Sequence, residues 1–456
     1  MTVLEHVEKF IHGVSIYPNP SSNFVPLAYN PLYYILAGLG AAIFGHSLFS
    51  LRLVSVLGFI GVLAVVYFAT RRETGSKWWA WIAIGMIAAS YRAMDTYLDN
   101  AHADSWALFM VLLGTYFLGL DRGRRTNTIG IFVLSLSFWF KQPAWIFIVG
   151  GLAFLVYRES LAKSWSYIVL AAILGPGIYF LAPSWFGENF HYYTLEIPRS
   201  WMAFSSGSIK RLIEYILRYY AFIAATALGA FLYVIIKRER KLDIWTALLP
   251  IACFSGLIAL LDSESNNNVL IPMGVWFIIV GIFGLKRWIG GRELYIDKWL
   301  LPLIIVALTF LRFAYNPFTV IIPQDAGTVY QEMIDYVQAL DGQVYAPWIG
   351  PLPHNEIFSP RLHWVPLTDI FRGTGEEGID QIVNNPAYLE LLGPVIAPAG
   401  DAYILTSFPL ESDPALSFLI GDYVLVDDLE YRFASLNTLP KRYNLGWPRF
   451  LYQYSP

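Results

Sequence analysis

Lys141-Gln142-Pro143 interrupts 32 residues of otherwise nearly unbroken apolar sequence, running from Thr126 to Tyr157. As one helix, this block would be about 48 Å long, well beyond a hydrocarbon core of roughly 30 Å. Folded at the lysine, each arm covers only about 22 Å, and the turn then lies below the membrane surface. Irregular backbone at that depth is tolerated only within protein or against a water-filled cavity, and a cation there marks a functional site by default. A single kinked span whose lysine snorkels to the interface is the alternative.

Composition supports reading the block as membrane-embedded. Apolar residues make up 56% of the chain and charged residues 14%, against the roughly 25% charge of soluble proteins; mean hydropathy is +0.49. A net charge of -3 gives no reason to expect nucleic acid as a partner, whereas membrane lipids are implied. Cys253 is the single cysteine and sits in an apolar segment, so no disulfide framework or Cys-based metal site is available. The seven histidines show no H-E-x-x-H spacing, and no cofactor motif is evident; a divalent metal ion is left open. MTVLEHVEKF lacks the basic start and apolar run of a cleavable signal.

Ten spans are expected, at about 51–70, 78–92, 105–120, 126–140, 144–157, 167–183, 219–236, 244–261, 269–285 and 299–313. Basic loops (71–77, 121–125, 158–163, 237–241, 286–298) alternate with acidic or polar ones (93–104, the KQP turn, 184–218, 262–268). Lysine and arginine at span ends favour the cytoplasm. The alternation survives only if KQP is a turn between two short spans, and it places the other loops outside. The expected fold class is an α-helical polytopic membrane protein of the plasma membrane with a C-terminal soluble α/β domain.

The same parity puts residues 1–50 outside as an extracytoplasmic loop, with Leu32 to Phe44 too short to cross and read as an interfacial helix. Residues 51–315 form the transmembrane domain, and 316–456 an extracytoplasmic domain. In that domain Val329, Met333, Ile334, Val337 and Leu340 share one helical face, and 343–347, 401–408 and 422–429 read as strands. An external start without a signal suggests that a first membrane helix precedes Met1.

The order of parts carries a resemblance. YNPLYYILAGLGAAIFGHSLFSLRLVSVL (29–57), AHADSWALFMVLLGTYFL (101–118), FWFKQPAWI (138–146), NNNVLIP (266–272) and a terminal outer domain follow one another. Together they resemble the GT-C membrane glycosyltransferases, the family 39-type group of aminoarabinose and protein-mannosyl transferases. The resemblance implies a polyprenyl-phosphate-linked sugar donor and a lipid, glycan or protein acceptor. In that family the first helix ends in an acidic pair, one member of which acts as base. Here that helix is absent, and only Glu5 and Glu8 fall in the corresponding stretch.

Inverting sugar transfer needs a carboxylate to take the acceptor's proton and cationic or hydrogen-bonding groups to hold the departing phosphate. The polar clusters lie on one side of the expected topology: Glu5 and Glu8; Asp95, Asp99, His102 and Asp104; Lys141 and Gln142; Asp262, Glu264 and Asn266 to Asn268. Glu5 and Asp104 are the catalytic candidates. Arg52, Asp99, His102, Lys141, Gln142 and Asn268 are the substrate-binding candidates, with Lys141 assigned to the donor phosphate. Each has a plainer reading: Asp104 and Asn268 as helix caps, Arg52 as a boundary marker, and the loop acids as solvated groups. A transporter or lipid flippase is the competing function, although no internal repeat supports it. An inactive glycolipid-binding relative is the third.

Overall fold

The computed structural model describes residues 2–204, 206–237, 242–262, 265–290, 296–350, 352–353, 355–372, 382–413, 416–436 and 448–455. The chain divides into two compact units: Met1–Ala28, Phe186–Met202 and Asn316–Pro456 make one, and Tyr29–Trp185 with Ala203–Tyr315 make the other.

The first unit is mixed. Helix α1 (Thr2–Ile11) has Glu5 in its first turn and Lys9 in its last, the polarity that suits a helix dipole. It buries Glu5, His6 and Val7. The His6 ring donates through Nδ1 to the Thr2 carbonyl at 2.8 Å and accepts through Nε2 from the Leu27 N–H at 3.2 Å. Four strands form one sheet in the order β1-β2-β4-β3: β1 (Gln343–Tyr345), β2 (Ala402–Thr406), β3 (Tyr423–Asp428) and β4 (Phe450–Tyr454). β1 and β2 are parallel, and the other pairs antiparallel.

Strand alternation divides the side chains between two cores. Val344, Leu405 and Leu451 pack with Met333, Ile334 and Val337 of the helix Ala326–Gln338. Their neighbours Tyr345, Ile404 and Phe450 pack with Trp364, Leu367 and Tyr388 on the opposite face. The segments expected as strands at 343–347, 401–408 and 422–429 contain β1, β2 and β3; β4 was not anticipated.

The second unit is helical. It contains α2 (Leu32–Phe44), α3 (Leu48–Thr74), α4 (Lys77–Ala89), α5 (Asp104–Gly119), α6 (Arg124–Phe140), α7 (Trp145–Glu159) and α8 (Leu161–Ala172). Later come the helices Ala221–Lys237, Ile244–Ala259, Ile271–Ile289 and Ile296–Phe313. Among the described residues, five helical stretches are long and apolar enough to cross a membrane: Leu48–Thr74, Leu161–Leu181, Ser206–Lys237, Asn267–Ile289 and Lys298–Thr319. Asn267–Ile289 is the most enclosed, with 83% of its apolar window buried. A helix apolar on every side belongs at the centre of such a bundle. Ile43, Phe49, Trp78, Ile236 and Leu311 lie on the outside, as lipid rather than water would require.

Helices α5 and α6 form a tight hairpin, and the reason is glycine. A Cβ on Gly114 would lie 2.8 Å from the Gly130 carbonyl oxygen, and one on Gly130 would lie 3.0 Å from that of Gly114. Small residues thus let the two backbones touch. The helices are 16 and 17 residues long, about 24 and 25 Å. The start of α5 therefore stands level with the end of α6. Lys141 then leaves the helix in extended conformation (φ -151, ψ 125), a 3-10 turn spans Gln142–Ala144, and α7 begins at Trp145. The apolar block is two helices broken at KQP.

Candidate active site

The hairpin brings Asp104, the first residue of α5, to Lys141, the residue after α6. Lys141 Nζ donates to Asp104 Oδ1 at 2.6 Å. Asp104 Oδ2 accepts from His102 Nδ1, which fixes the proton on that nitrogen because an ionised carboxylate only accepts. Asn268 Nδ2 lies 3.4 and 3.3 Å from the two carboxylate oxygens. The side chain of Asp104 is 6% exposed, and those of His102 and Lys141 are 14% exposed. A charge so enclosed needs partners, and Asp104 has three donors from three separate parts of the chain.

The capping reading of Asp104 does not match its position. The residue preceding α5 is Ala103, and no side chain caps the helix. Asn268 lies within a short 3-10 helix, Asn267–Leu270, that likewise has no side-chain cap. Asp104, Lys141 and Asn268 line a small cavity of about 50 Å³, whose remaining walls include Pro143, Phe147, Ser255 and Pro272.

Arg52, on α3, is tied to Asp99: Nη2 meets Oδ2 at 2.6 Å, and Nε donates to the Asp99 carbonyl at 3.2 Å. Tyr91 donates to the other Asp99 oxygen at 2.6 Å. Gln142 opens the 3-10 turn, and its carbonyl accepts from Trp145. Glu5 lies in the mixed unit, where Arg361 Nη2 donates to it at 3.1 Å. A separate cavity of about 780 Å³ in that unit is lined by both residues, with Glu8, Lys9 and His12. Glu264 lies outside the described residues.

Sequence reasoning missed several contributors. Tyr29 and Tyr97 press ring edges on His102, with centroids 4.8 and 5.4 Å away. Ser55 donates to the His102 carbonyl at 3.3 Å and meets Tyr33 Oη at 2.7 Å. Tyrosine and serine scattered through apolar helices and the loops beside them carry no signal of this kind.

Residues 26–182 match the family model of dolichyl-phosphate-mannose-protein mannosyltransferase. The chain is 26% identical over 265 residues to an uncharacterized protein of Aquifex aeolicus (strain VF5), covering 57% of this chain and 61% of the relative; it thus spans less than two thirds of that relative's length. Two crystal structures of ArnT from Cupriavidus metallidurans, one bound to undecaprenyl phosphate and one apo, share the fold. Each superposes with a TM-score of 0.52 at 12% identity, covering 100% of this chain and 94% of the other. The matched family and the shared fold are those of the GT-C membrane glycosyltransferases, the superfamily that the ordered sequence segments resemble.

Proposed function

We propose that the protein is an integral membrane glycosyltransferase that moves a sugar, with inversion, from a polyprenyl-phosphate donor to an acceptor on the extracytoplasmic face. The observation that carries this reading is the enclosed Lys141–Asp104 pair at a helix break in a GT-C fold. Undecaprenyl phosphate bound to the ArnT of like fold supports a polyprenyl phosphate as the lipid partner.

In this reading the donor phosphate takes the Lys141 ammonium from Asp104, a point charge suited to a phosphate oxygen. The released Asp104 carboxylate accepts the proton of the acceptor hydroxyl. The acceptor oxygen bonds to the sugar C1 while the bond from C1 to the phosphate oxygen breaks. The phosphate leaves with the electron pair, held by Lys141 and by Arg52. Gln142, His102 and Asn268 bind donor or sugar, and Asp99 orients Arg52. Glu5 is the alternative base of the sequence reading. The topology is ten spans within 51–315, with 1–50 and a 316–456 α/β domain outside.

The test uses protein in nanodiscs, titrated with undecaprenyl phosphate or with undecaprenol, which lacks the charge. Only the phosphate should bind, and Lys141→Ala should lose it while remaining folded. Equal binding of the two lipids would end the proposal. Transfer is then read with a panel of labelled polyprenyl-phosphate sugars.

A further inference from the structure

The chain between the 3-10 turn Ser90–Arg92 and α5 contains two consecutive non-glycine residues in the left-handed region, Asp95 (φ 50) and Thr96 (φ 61). Such backbone persists only where the surroundings hold it, and it gathers at functional sites. What holds this turn is informative. Asp95 Oδ2 accepts from the Asn267 N–H at 2.8 Å, and its Oδ1 lies 3.4 Å from Asn267 Nδ2. Asn266 Nδ2 donates to Tyr97 Oη at 3.1 Å, and the Tyr97 ring edge faces His102. Arg211 Nη2, 3.3 Å from Asn267 Oδ1, braces the same asparagine from another helix.

The consequence concerns Asp104. Of its three donors, Lys141 is placed by the α5–α6 hairpin. The other two, Asn268 and His102, both adjoin the 95–97 turn: Asn268 through the adjacent Asn267, and His102 through Tyr97. We infer that the Asp95–Tyr97 turn is a positioning device that sets Asn268 and His102 around Asp104, with Asp95 its principal residue. Asp95 touches no reacting group; it acts through Asn267. This inference rests on the proposed function for its ligand but not for its geometry.

Two measurements test it. In the first, backbone amide exchange is followed in ligand-free protein. Asp95→Ala should speed exchange at 266–270, while Asp95→Asn, which keeps an acceptor oxygen, should leave it near wild type. Unchanged exchange in Asp95→Ala overturns the inference, whatever the protein binds. The second is a double-mutant cycle on undecaprenyl phosphate affinity. Asp95→Ala and Asn268→Ala should each weaken binding by about tenfold, in line with a charge-assisted hydrogen bond. The double variant should be barely weaker than either alone, because the two act through one route. Losses that multiply would mean a general structural role and overturn it. If wild type binds no phosphate lipid, the proposed function fails, and the exchange result alone decides the positioning role.

Discussion

Lys141 and Asp104 meet at 2.6 Å across 37 residues of chain because the α5–α6 hairpin returns the chain to the level at which it set out. If the pair is the transfer site, Lys141→Ala should reduce transfer about 10²–10³-fold, the usual cost of one lost anion-stabilising donor. Lys141→Arg should not restore it, since a planar fork does not replace a compact ammonium. Asp104→Asn keeps the bulk and should cost about 10²–10⁴-fold if the carboxylate is the base. Full transfer by Asp104→Asn would return that residue to a structural role.

The glycine contact predicts a stability defect without a chemical one. Gly114→Val places side-chain atoms where the Gly130 carbonyl and Leu134 already stand. We expect a loss of at least 1–3 kcal/mol, the typical range for overpacking, seen as a lower melting temperature in detergent. Gly85→Ala, whose Cβ meets Phe310 at an ordinary 3.5 Å, should be neutral by the same measurement.

Topology can be read by labelling in a Cys253→Ser background. Arg122→Cys should be protected from an impermeant thiol reagent in intact cells, and Glu188→Cys and Asp335→Cys should react. The expectation rests on the basic loops facing the cytoplasm. Reaction at position 122 in sealed cells would invert it.

His6 makes the packing of α1 sensitive to acid. Burial, aided by the nearby positive charge of Lys9, lowers its pKa from 6.5 to about 3. The folded state therefore stays neutral where the unfolded chain takes a proton, so stability is retained above pH 6.5 and falls progressively toward pH 3. Protonation at Nε2 would also break the bond from the Leu27 N–H. Amide protection of residues 2–28 should drop between pH 7.5 and 5, and less so in His6→Gln, whose amide can both donate and accept. An identical slope in the two proteins would show that another group is responsible.

Much of this site was legible because it is local in a particular sense. Asp104 opens one apolar run and Lys141 closes the next, with only a short basic loop between them; two helices of matched length must then bring the residues to one level. The break itself was legible because KQP could not be accommodated in a single span. Asn268 is 164 residues from Asp104, and no periodicity links them; only the order of motifs pointed there. The left-handed turn at Asp95 and Thr96 was hidden, since neither residue is the glycine that advertises such backbone. The Glu5–Arg361 pair was equally invisible, as ion pairs between distant segments follow from tertiary packing and not from pattern. β4 (FLYQY) shows no clean alternation of apolar and polar residues and does not stand out from the aromatic-rich background.

That last ion pair has a consequence for assembly. Glu5 and Arg361 are separated by 356 positions, and the Arg361 N–H also donates to the Ser22 carbonyl at 2.8 Å. At about 5–20 residues per second, α1 leaves the ribosome roughly 20–70 s before its partner exists. Throughout that interval Glu5 lacks its Arg361 partner. Helix α1 can meet Leu27 early but gains its Arg361 contact only late, and a nascent chain arrested before residue 361 would carry α1 without that ion pair, closer to the reach of chaperones and proteases.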